Sequence, residues 1–171
     1  VEAAAVPAVR ADSHDPQGVT RMTTRLREQL IRHEDLRLKP YRDTAGKLTI
    51  GCGRNLDDVG ISREEAFLLL DNDILRAQTG VIRELPWSVE LDRPRFEVLV
   101  NMAFNMGVGG LLGFKKFLAA LREGHLEAAA KEMLDSLWSQ QVGRRADELA
   151  QIVRTGEDPF GRSSGGVGGG K

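Results

Sequence analysis

The sequence is poor in the features that mark several large classes of protein. Of its 171 residues only Cys52 is a cysteine, so no disulfide forms within the chain, and its place between two glycines predicts a small buried side chain. The three histidines lack metal-ligand spacing, and we expect neither a metal nor a cofactor. No run of about 18 apolar residues offers a membrane span. The net charge of -1 provides no overall attraction to nucleic acid or to an anionic surface.

The composition is that of an ordinary globular domain. Apolar residues make up 41% of the chain and charged residues 29%. A chain of this length buries enough surface to fold as one domain, or as a small lobe joined to a larger one, without disulfides. We expect a monomer.

The most informative stretch is residues 33–53. It follows apolar residues at helical spacing, and Pro40 then excludes helix at Lys39. The run 43–46, Asp-Thr-Ala-Gly, has the chemistry of a tight turn between two short extended segments. The stretch therefore predicts the end of a helix, a connector and a tight β-hairpin.

Two carboxylates and one hydroxyl in this stretch have the chemistry of glycosidic-bond cleavage. Glu34 falls in the last turn of the helix, where the unpaired carbonyls disfavour an ionised carboxylate, which suits a general acid. Asp43 falls at the mouth of the turn, close to water, which suits a general base. Thr49 offers a hydroxyl that holds an attacking water beside Asp43. On spacing alone, two ordinary solvated carboxylates are the favoured interpretation, and spacing by itself does not establish a catalytic pair.

The same stretch resembles a known signature. Glu34, Leu36, Tyr41, Asp43, Gly46 and the run 49–53 follow the pattern Glu-Gly-x-x-Leu-x-x-Tyr-x-Asp-x-x-Gly-x-x-Thr-Ile-Gly-x-Gly-His of the phage-type lysozymes, the endolysin muramidases of glycoside hydrolase family 24. The resemblance implies that Glu34, Asp43 and Thr49 are the catalytic groups. The chain departs from the pattern at Asp35, where the family has Gly, and at Arg54, where it has His.

Two weaker resemblances to the family occur later in the chain. The run 101–107 resembles a family helix whose aromatic residue lines the sugar cleft, which assigns Phe104 to substrate binding, with core packing as the alternative. We also assign Asn55, in the loop after the hairpin, to substrate binding. The resemblance further implies that Arg145, at the start of the last helix, pairs with the catalytic Glu34, although the adjacent Arg144 leaves open which arginine points inward.

Two sugar-contacting positions of better-known relatives, a Ser and an Asn, align with Phe117 and Glu132. Details of the sugar subsites therefore do not transfer. Trp138 has two readings, stacking on a sugar ring or filling the core beneath a loop.

The predicted fold is α+β and mainly helical, a lysozyme-like fold with a small β-hairpin lobe and a larger helical lobe separated by a cleft. Helix signals include a capping box from Ser62 to Glu65 and an N-cap at Asp92 followed by Pro94. The expected segments are a flexible arm or leader at 1–23, a lysozyme domain at 24–160 and a flexible Gly/Ser tail at 161–171. Within the lysozyme domain, we expect the hairpin lobe at about 35–60, the connecting helix at about 62–79 and the helical lobe at about 80–160.

The expected activity is hydrolysis, with inversion, of the β-1,4 bond between N-acetylmuramic acid and N-acetylglucosamine in peptidoglycan strands. The alternatives are a lytic transglycosylase, which needs neither Asp43 nor Thr49, and a non-catalytic wall-binding or virion structural module. A nucleic-acid binder is the weakest candidate because the chain lacks a basic excess. Without a convincing signal peptide, we expect the protein to remain in the host cytoplasm until a separate pore-forming protein releases it onto the cell wall.

Overall fold

The computed structural model describes residues 16–158, with side chains from residue 24 onward. The chain divides between Arg63 and Glu64 into two compact units. We call residues 16–63 the hairpin unit and residues 64–158 the helical unit.

The hairpin unit consists of one helix and a three-stranded antiparallel sheet. Its elements are α1 (Pro16–Glu34), β1 (Arg37–Arg42), β2 (Leu48–Gly51) and β3 (Arg54–Asn55), with strand order β1-β2-β3. The expected hairpin is confirmed, and the two-residue strand β3 adds to it. The β1–β2 pairing is irregular between Arg37 and Tyr41, a segment that contains Pro40, which has no amide hydrogen for a ladder bond.

Helix α1 begins at Pro16, earlier than the end of the arm predicted at 1–23. Proline fits the first turn of a helix because its missing N–H has no partner there in any case. The following residues Gly18, Val19 and Thr20 are weak helix formers, which is why the sequence pattern placed the helix start too late. Residues 1–15 of the predicted arm and the tail at 161–171 lie outside the described residues.

The connector after α1 explains the first departure from the family pattern. Asp35 directly follows the helix and has φ of 64°, the left-handed conformation typical of the residue after a helix C-terminus. Glycine adopts this conformation without steric cost, and Asp tolerates it better than most residues. Asp35 therefore keeps the backbone turn that glycine makes in the family signature.

The helical unit contains six helices and a short 3₁₀ turn at Pro86–Glu90 within residues 64–158. The helices are α2 (Arg63–Glu84, which starts at the unit boundary), α3 (Arg93–Leu112), α4 (Lys115–Arg122), α5 (Leu126–Leu134), α6 (Leu137–Val142) and α7 (Arg144–Thr155). Helix α2 extends five residues beyond the predicted end at 79, up to the Leu85-Pro86 pair. With the small sheet, these helices confirm the mainly helical α+β, lysozyme-like fold.

Helix α3 is the central buried helix of the unit, and it begins after the N-cap that the sequence predicts at Asp92. Asp92 is its N-cap, since a carboxylate oxygen accepts from the backbone N–H of Arg95 at 3.0 Å. Leu99 and Met102 are fully buried at its middle. At Gly107 the backbone leaves the helical conformation with φ of 77°, so α3 is kinked at its first glycine and a second helical segment continues to Leu112.

The core of the helical unit gathers around α3. It is built from buried apolar side chains of every helix in the unit, among them Val81, Leu99, Leu111, Phe117, Leu121, Met133, Ala150 and Val153. Within residues 16–158, no single helix is both long and apolar enough to cross a membrane.

Candidate functional site

The carboxylate of Asp43 is held by the turn that it begins. Its Oδ1 accepts hydrogen bonds from the backbone N–H of Ala45 at 2.9 Å and of Lys47 at 2.8 Å. Two backbone bonds close the same turn, from Asp43 N–H to the Lys47 carbonyl and from Gly46 N–H to the Asp43 carbonyl, each 3.0 Å long. The guanidinium of Arg42 also donates to the Gly46 carbonyl at 2.7 Å. The turn therefore fixes one carboxylate oxygen and orients the other.

The second oxygen of Asp43 faces Thr49. The distance from Thr49 Oγ1 to Asp43 Oδ2 is 3.5 Å, and the hydroxyl also lies 3.1 Å from the Lys47 carbonyl. When the hydroxyl donates its single proton to that carbonyl, its lone pairs remain available to a water that also bonds Oδ2. Thr49 is only 3% exposed, so its hydroxyl is fixed by packing. The Thr49 hydroxyl and Asp43 Oδ2 are therefore neighbouring polar groups within the hairpin unit.

Glu34 lies at the other end of the hairpin unit's sequence motif, against Gly53. A methyl group placed on Gly53 would lie 3.2 Å from Glu34 Oε2 and 3.6 Å from its carboxyl carbon. Gly53 also has φ of 77°, a conformation that favours glycine. The Gly-x-Gly end of the signature thus leaves room for the carboxyl group of Glu34.

Glu34 and Gly53 line a groove of about 560 Å³ within the hairpin unit, together with Leu26, Leu30 and Cys52 among others. Cys52 is exposed, so the expectation of a buried thiol is wrong. The reason is that Gly51 and Gly53 both take positive φ and turn the chain out of the strand at this point, which leaves residue 52 on the outside.

Asn55 is the last residue of β3, directly before the loop that follows this strand. It stands opposite Thr49 in the sheet, and its amide makes two bonds with Asp58, one from Asn55 Nδ2 and one to Asn55 Oδ1, both 2.9 Å. Arg54, at the family's His position, donates to the Gly60 carbonyl at 3.2 Å. Both side chains hold the 55–60 loop in place.

The helical unit contains a larger groove of about 720 Å³. Both site residues that the sequence predicts in this unit line the groove. Phe104 and Arg145 line it together with the apolar side chains of Ile74 and Phe96 and the polar side chain of Asn101. Phe104 is 43% exposed, so it presents an aromatic surface to the groove in addition to packing on its helix. An aromatic face beside polar groups is suited to a sugar ring.

The two neighbouring arginines of α7 point in different directions. Arg145 donates from Nε to Asn101 Oδ1 at 2.9 Å, and both residues line the groove. Arg144 is highly exposed and pairs with Glu148 one turn further along α7. Arg145 is thus the arginine that faces the groove, which resolves the alternative that the sequence left open.

The region aligned with the sugar-contacting Ser and Asn has different chemistry here. Phe117 is 1% exposed and packs in the core of the helical unit. Trp138 is 7% exposed and donates from Nε1 to Asn105 Oδ1 at 2.8 Å, which favours its core reading. Glu132 lines a shallow groove beside it.

Two contacts of the site carry no strong sequence signal. Asn101 reads in the sequence as a single polar residue on an apolar helix, and its contact with Arg145 spans 44 residues. Gly53 is visible as part of a motif, but its closeness to Glu34 depends on how α1 lies against the sheet. The only sequence signal for Asn101 was that a polar side chain on a buried helix needs a hydrogen-bond partner.

Comparison with known proteins gives one family. The family model for phage lysozyme matches residues 31–155. The chain is 35% identical over 157 residues to the pre-baseplate central spike protein Gp5 of Enterobacteria phage T4, covering 75% of this chain and 27% of that protein. It is 28% identical over 164 residues to probable T4-type lysozyme 1 of Dictyostelium discoideum, covering 79% and 96%.

A third relative is an endolysin of Acyrthosiphon pisum secondary endosymbiont phage 1, 31% identical over 128 residues, which cover 72% of this chain and 84% of that protein. The chain therefore spans about a quarter of Gp5 but most of the two shorter relatives. The family match runs from before Glu34 to the end of α7 and includes the Asp43 turn, Thr49 and Arg145. This chain belongs to the phage lysozyme family.

Proposed function

We propose that the chain hydrolyses the β-1,4 bond between N-acetylmuramic acid and N-acetylglucosamine in peptidoglycan, with inversion at the anomeric carbon. Family membership supports the broader statement that the chain is a lysozyme-type glycosidase. The observation that carries the finer proposal is the second oxygen of Asp43, which faces the Thr49 hydroxyl at 3.5 Å while the first oxygen is bound to the turn.

The proposed roles divide between an acid and a base. Glu34 protonates the leaving glycosidic oxygen, and Asp43 with Thr49 activates a water on the opposite face of the sugar ring. The protons balance, because Glu34 gives one to the leaving group and Asp43 takes one from the water. Arg145 acts with Glu34, as the family resemblance implies, and Phe104 and Asn55 contact the sugars.

The test is digestion of purified peptidoglycan, with the released muropeptides identified by mass spectrometry. The intact protein should release reducing, non-anhydro muramic ends, and Glu34→Gln should release almost none. Asp43→Asn should lose about 10²–10⁴-fold in rate. Freshly formed product should be the α-anomer by NMR, because inversion of a β-linkage gives α.

Thr49→Val tests the water-holding role directly. The change keeps the shape of the side chain and removes the hydroxyl, so the rate should fall while the fold persists. Thr44→Val is the matched control, since Thr44 is an exposed residue of the same turn and should keep full activity. Equal rates for the two variants would remove Thr49 from the mechanism.

Two other functions give different results in the same assay. Anhydro muramic ends would identify a lytic transglycosylase. A structural virion module is favoured by one observation, the 35% identity with the central spike protein Gp5. Binding to peptidoglycan without release of any product, by a folded protein, would support that module.

The location of action forms part of the proposal. We propose that the protein acts on the cell wall as a monomer, after a separate pore-forming protein releases it from the host cytoplasm. Size-exclusion chromatography with light scattering checks the oligomeric state.

A further inference from the structure

The near-neutral net charge of the chain conceals an unequal distribution between the two units. Residues 24–63 carry nine Lys or Arg and six Asp or Glu, a net charge of +3. Residues 64–158 carry eleven Lys or Arg and sixteen Asp or Glu, a net charge of -5. Since exposed charges act over about 8–10 Å at physiological salt, an anionic polymer responds to the local charge and not to the total.

The outer strand of the sheet concentrates part of this positive charge. Among the strands of residues 16–158, β1 pairs only with β2. It carries Arg37, Lys39 and Arg42, all exposed, which we call the basic edge. None of the three forms an ion pair with a carboxylate of residues 24–63. By contrast, Lys47 on the next segment is neutralised by Asp58 at 2.8 Å.

Part of the basic edge is ordered before any ligand binds. The guanidinium of Arg37 lies over the ring of Tyr41, 4.4 Å from its centre. Arg42 is held by the Gly46 carbonyl and directly precedes Asp43. The basic edge thus ends at the turn that holds the proposed base.

We propose that the basic edge binds the carboxylates of peptidoglycan stem peptides and so places the glycan strand along the hairpin unit. The proposal rests on the proposed function, because that function makes peptidoglycan the anionic polymer the chain meets. Guanidinium groups match carboxylates in a bidentate geometry, and two of the three basic residues are arginines. The acidic helical unit repels the same polymer, which favours binding through the hairpin unit.

The test measures binding to insoluble peptidoglycan sacculi by co-sedimentation over a series of salt concentrations. A Glu34→Gln background limits digestion during the measurement. The double variant Arg37→Gln with Lys39→Gln removes two charges of the basic edge and leaves Arg42, with its role in the Asp43 turn, intact. Circular dichroism and thermal unfolding verify that the variant is folded.

The matched control is Arg76→Gln with Lys131→Gln. It removes the same two residue types from the helical unit, where both side chains are exposed and pair with Asp73 and Asp135 of their own or the adjoining turn. The basic-edge variant should bind roughly tenfold more weakly at low salt, the loss expected for two exposed charge contacts. The control should weaken binding much less than the basic-edge variant, because it raises the general repulsion by the helical unit but removes no proposed contact with the polymer. The difference should vanish at about 1 M salt, where the Debye length is about 3 Å.

Two chemical treatments of the sacculi identify the ligand. Amidation of the carboxylates should abolish the advantage of the unchanged basic edge, and hydrofluoric acid removal of phosphate-containing wall polymers should leave it in place. An advantage lost with the phosphate polymers, or equal weakening by both double variants, would overturn the proposal. Muropeptide release by the intact protein is scored separately, so that failure of hydrolysis with intact basic-edge binding refutes the activity alone.

Discussion

Replacing Gly53 by alanine tests whether the space beside Glu34 is needed for activity. The added methyl group would lie 3.2 Å from Glu34 Oε2, a contact that displaces the neighbour by a few tenths of an ångström. A misplacement of about 1 Å costs a catalytic group about 10²-fold in rate, so we expect Gly53→Ala to lose about tenfold in kcat.

The same substitution has a second cost that a control has to remove. Gly53 has φ of 77°, and a left-handed backbone conformation costs an alanine about 1–2 kcal/mol of folding free energy. Gly51→Ala should lose the same folding free energy, because Gly51 has φ of 67°. No atom lies within 4 Å of the methyl group that Gly51 would gain, so this variant has no added steric contact. The two variants therefore differ mainly in the steric contact between the added methyl group and the Glu34 carboxylate.

The assay compares stability and activity in the two variants. Urea unfolding should show similar losses of stability, and initial rates of muropeptide release should show a loss specific to Gly53→Ala. Equal activity in the two folded variants would refute the reasoning that Gly53 leaves room for a working Glu34. A large loss in Gly51→Ala would mean that backbone strain alone explains both results.

Two further substitutions test single contacts. Asn101→Leu removes the acceptor of Arg145 Nε and should lower kcat about tenfold with little change in KM, at a stability cost of about 1 kcal/mol. Asn101→Asp restores an acceptor and should recover most of the rate. Steady-state kinetics on soluble peptidoglycan fragments measure both variants, and a change in KM alone would contradict a positioning role. Asp35→Gly should raise the free energy of unfolding by about 0.5–1 kcal/mol, because glycine adopts the left-handed φ of 64° without steric cost, and a lower urea midpoint would contradict this.

Local backbone chemistry made the hairpin predictable from the sequence. Pro40 and the Asp-Thr-Ala-Gly run determine the backbone conformation of the few residues around them. The turn and both of its strands are therefore where the sequence indicates. The start of α3 was predictable for the same reason, from the N-cap at Asp92. Helix α6 and strand β3, of six and two residues, are too short to show a period.

The candidate site was less predictable because several of its contacts join distant parts of the chain. The residue types of Glu34, Asp43 and Thr49 are visible in the motif, and the resemblance supplies their roles. The contact between Arg145 and Asn101 depends on how α7 packs on α3, which no local pattern encodes. Exposure also depends on packing, and Cys52 is exposed because its two neighbouring glycines turn the chain outward.

The chemistry of Asp43 separates a hydrolase from a purely structural module more sharply than the fold does. The turn uses only Oδ1, which accepts the two backbone N–H groups. An asparagine would supply the same acceptor and build the same turn, so the fold requires neither the negative charge nor the second oxygen of Asp43. A transglycosylase, which uses no attacking water, does not require them either. Inverting hydrolysis does require them, because a base must take a proton from a water, and the oxygen that we propose as this base, Oδ2, lies 3.5 Å from the Thr49 hydroxyl.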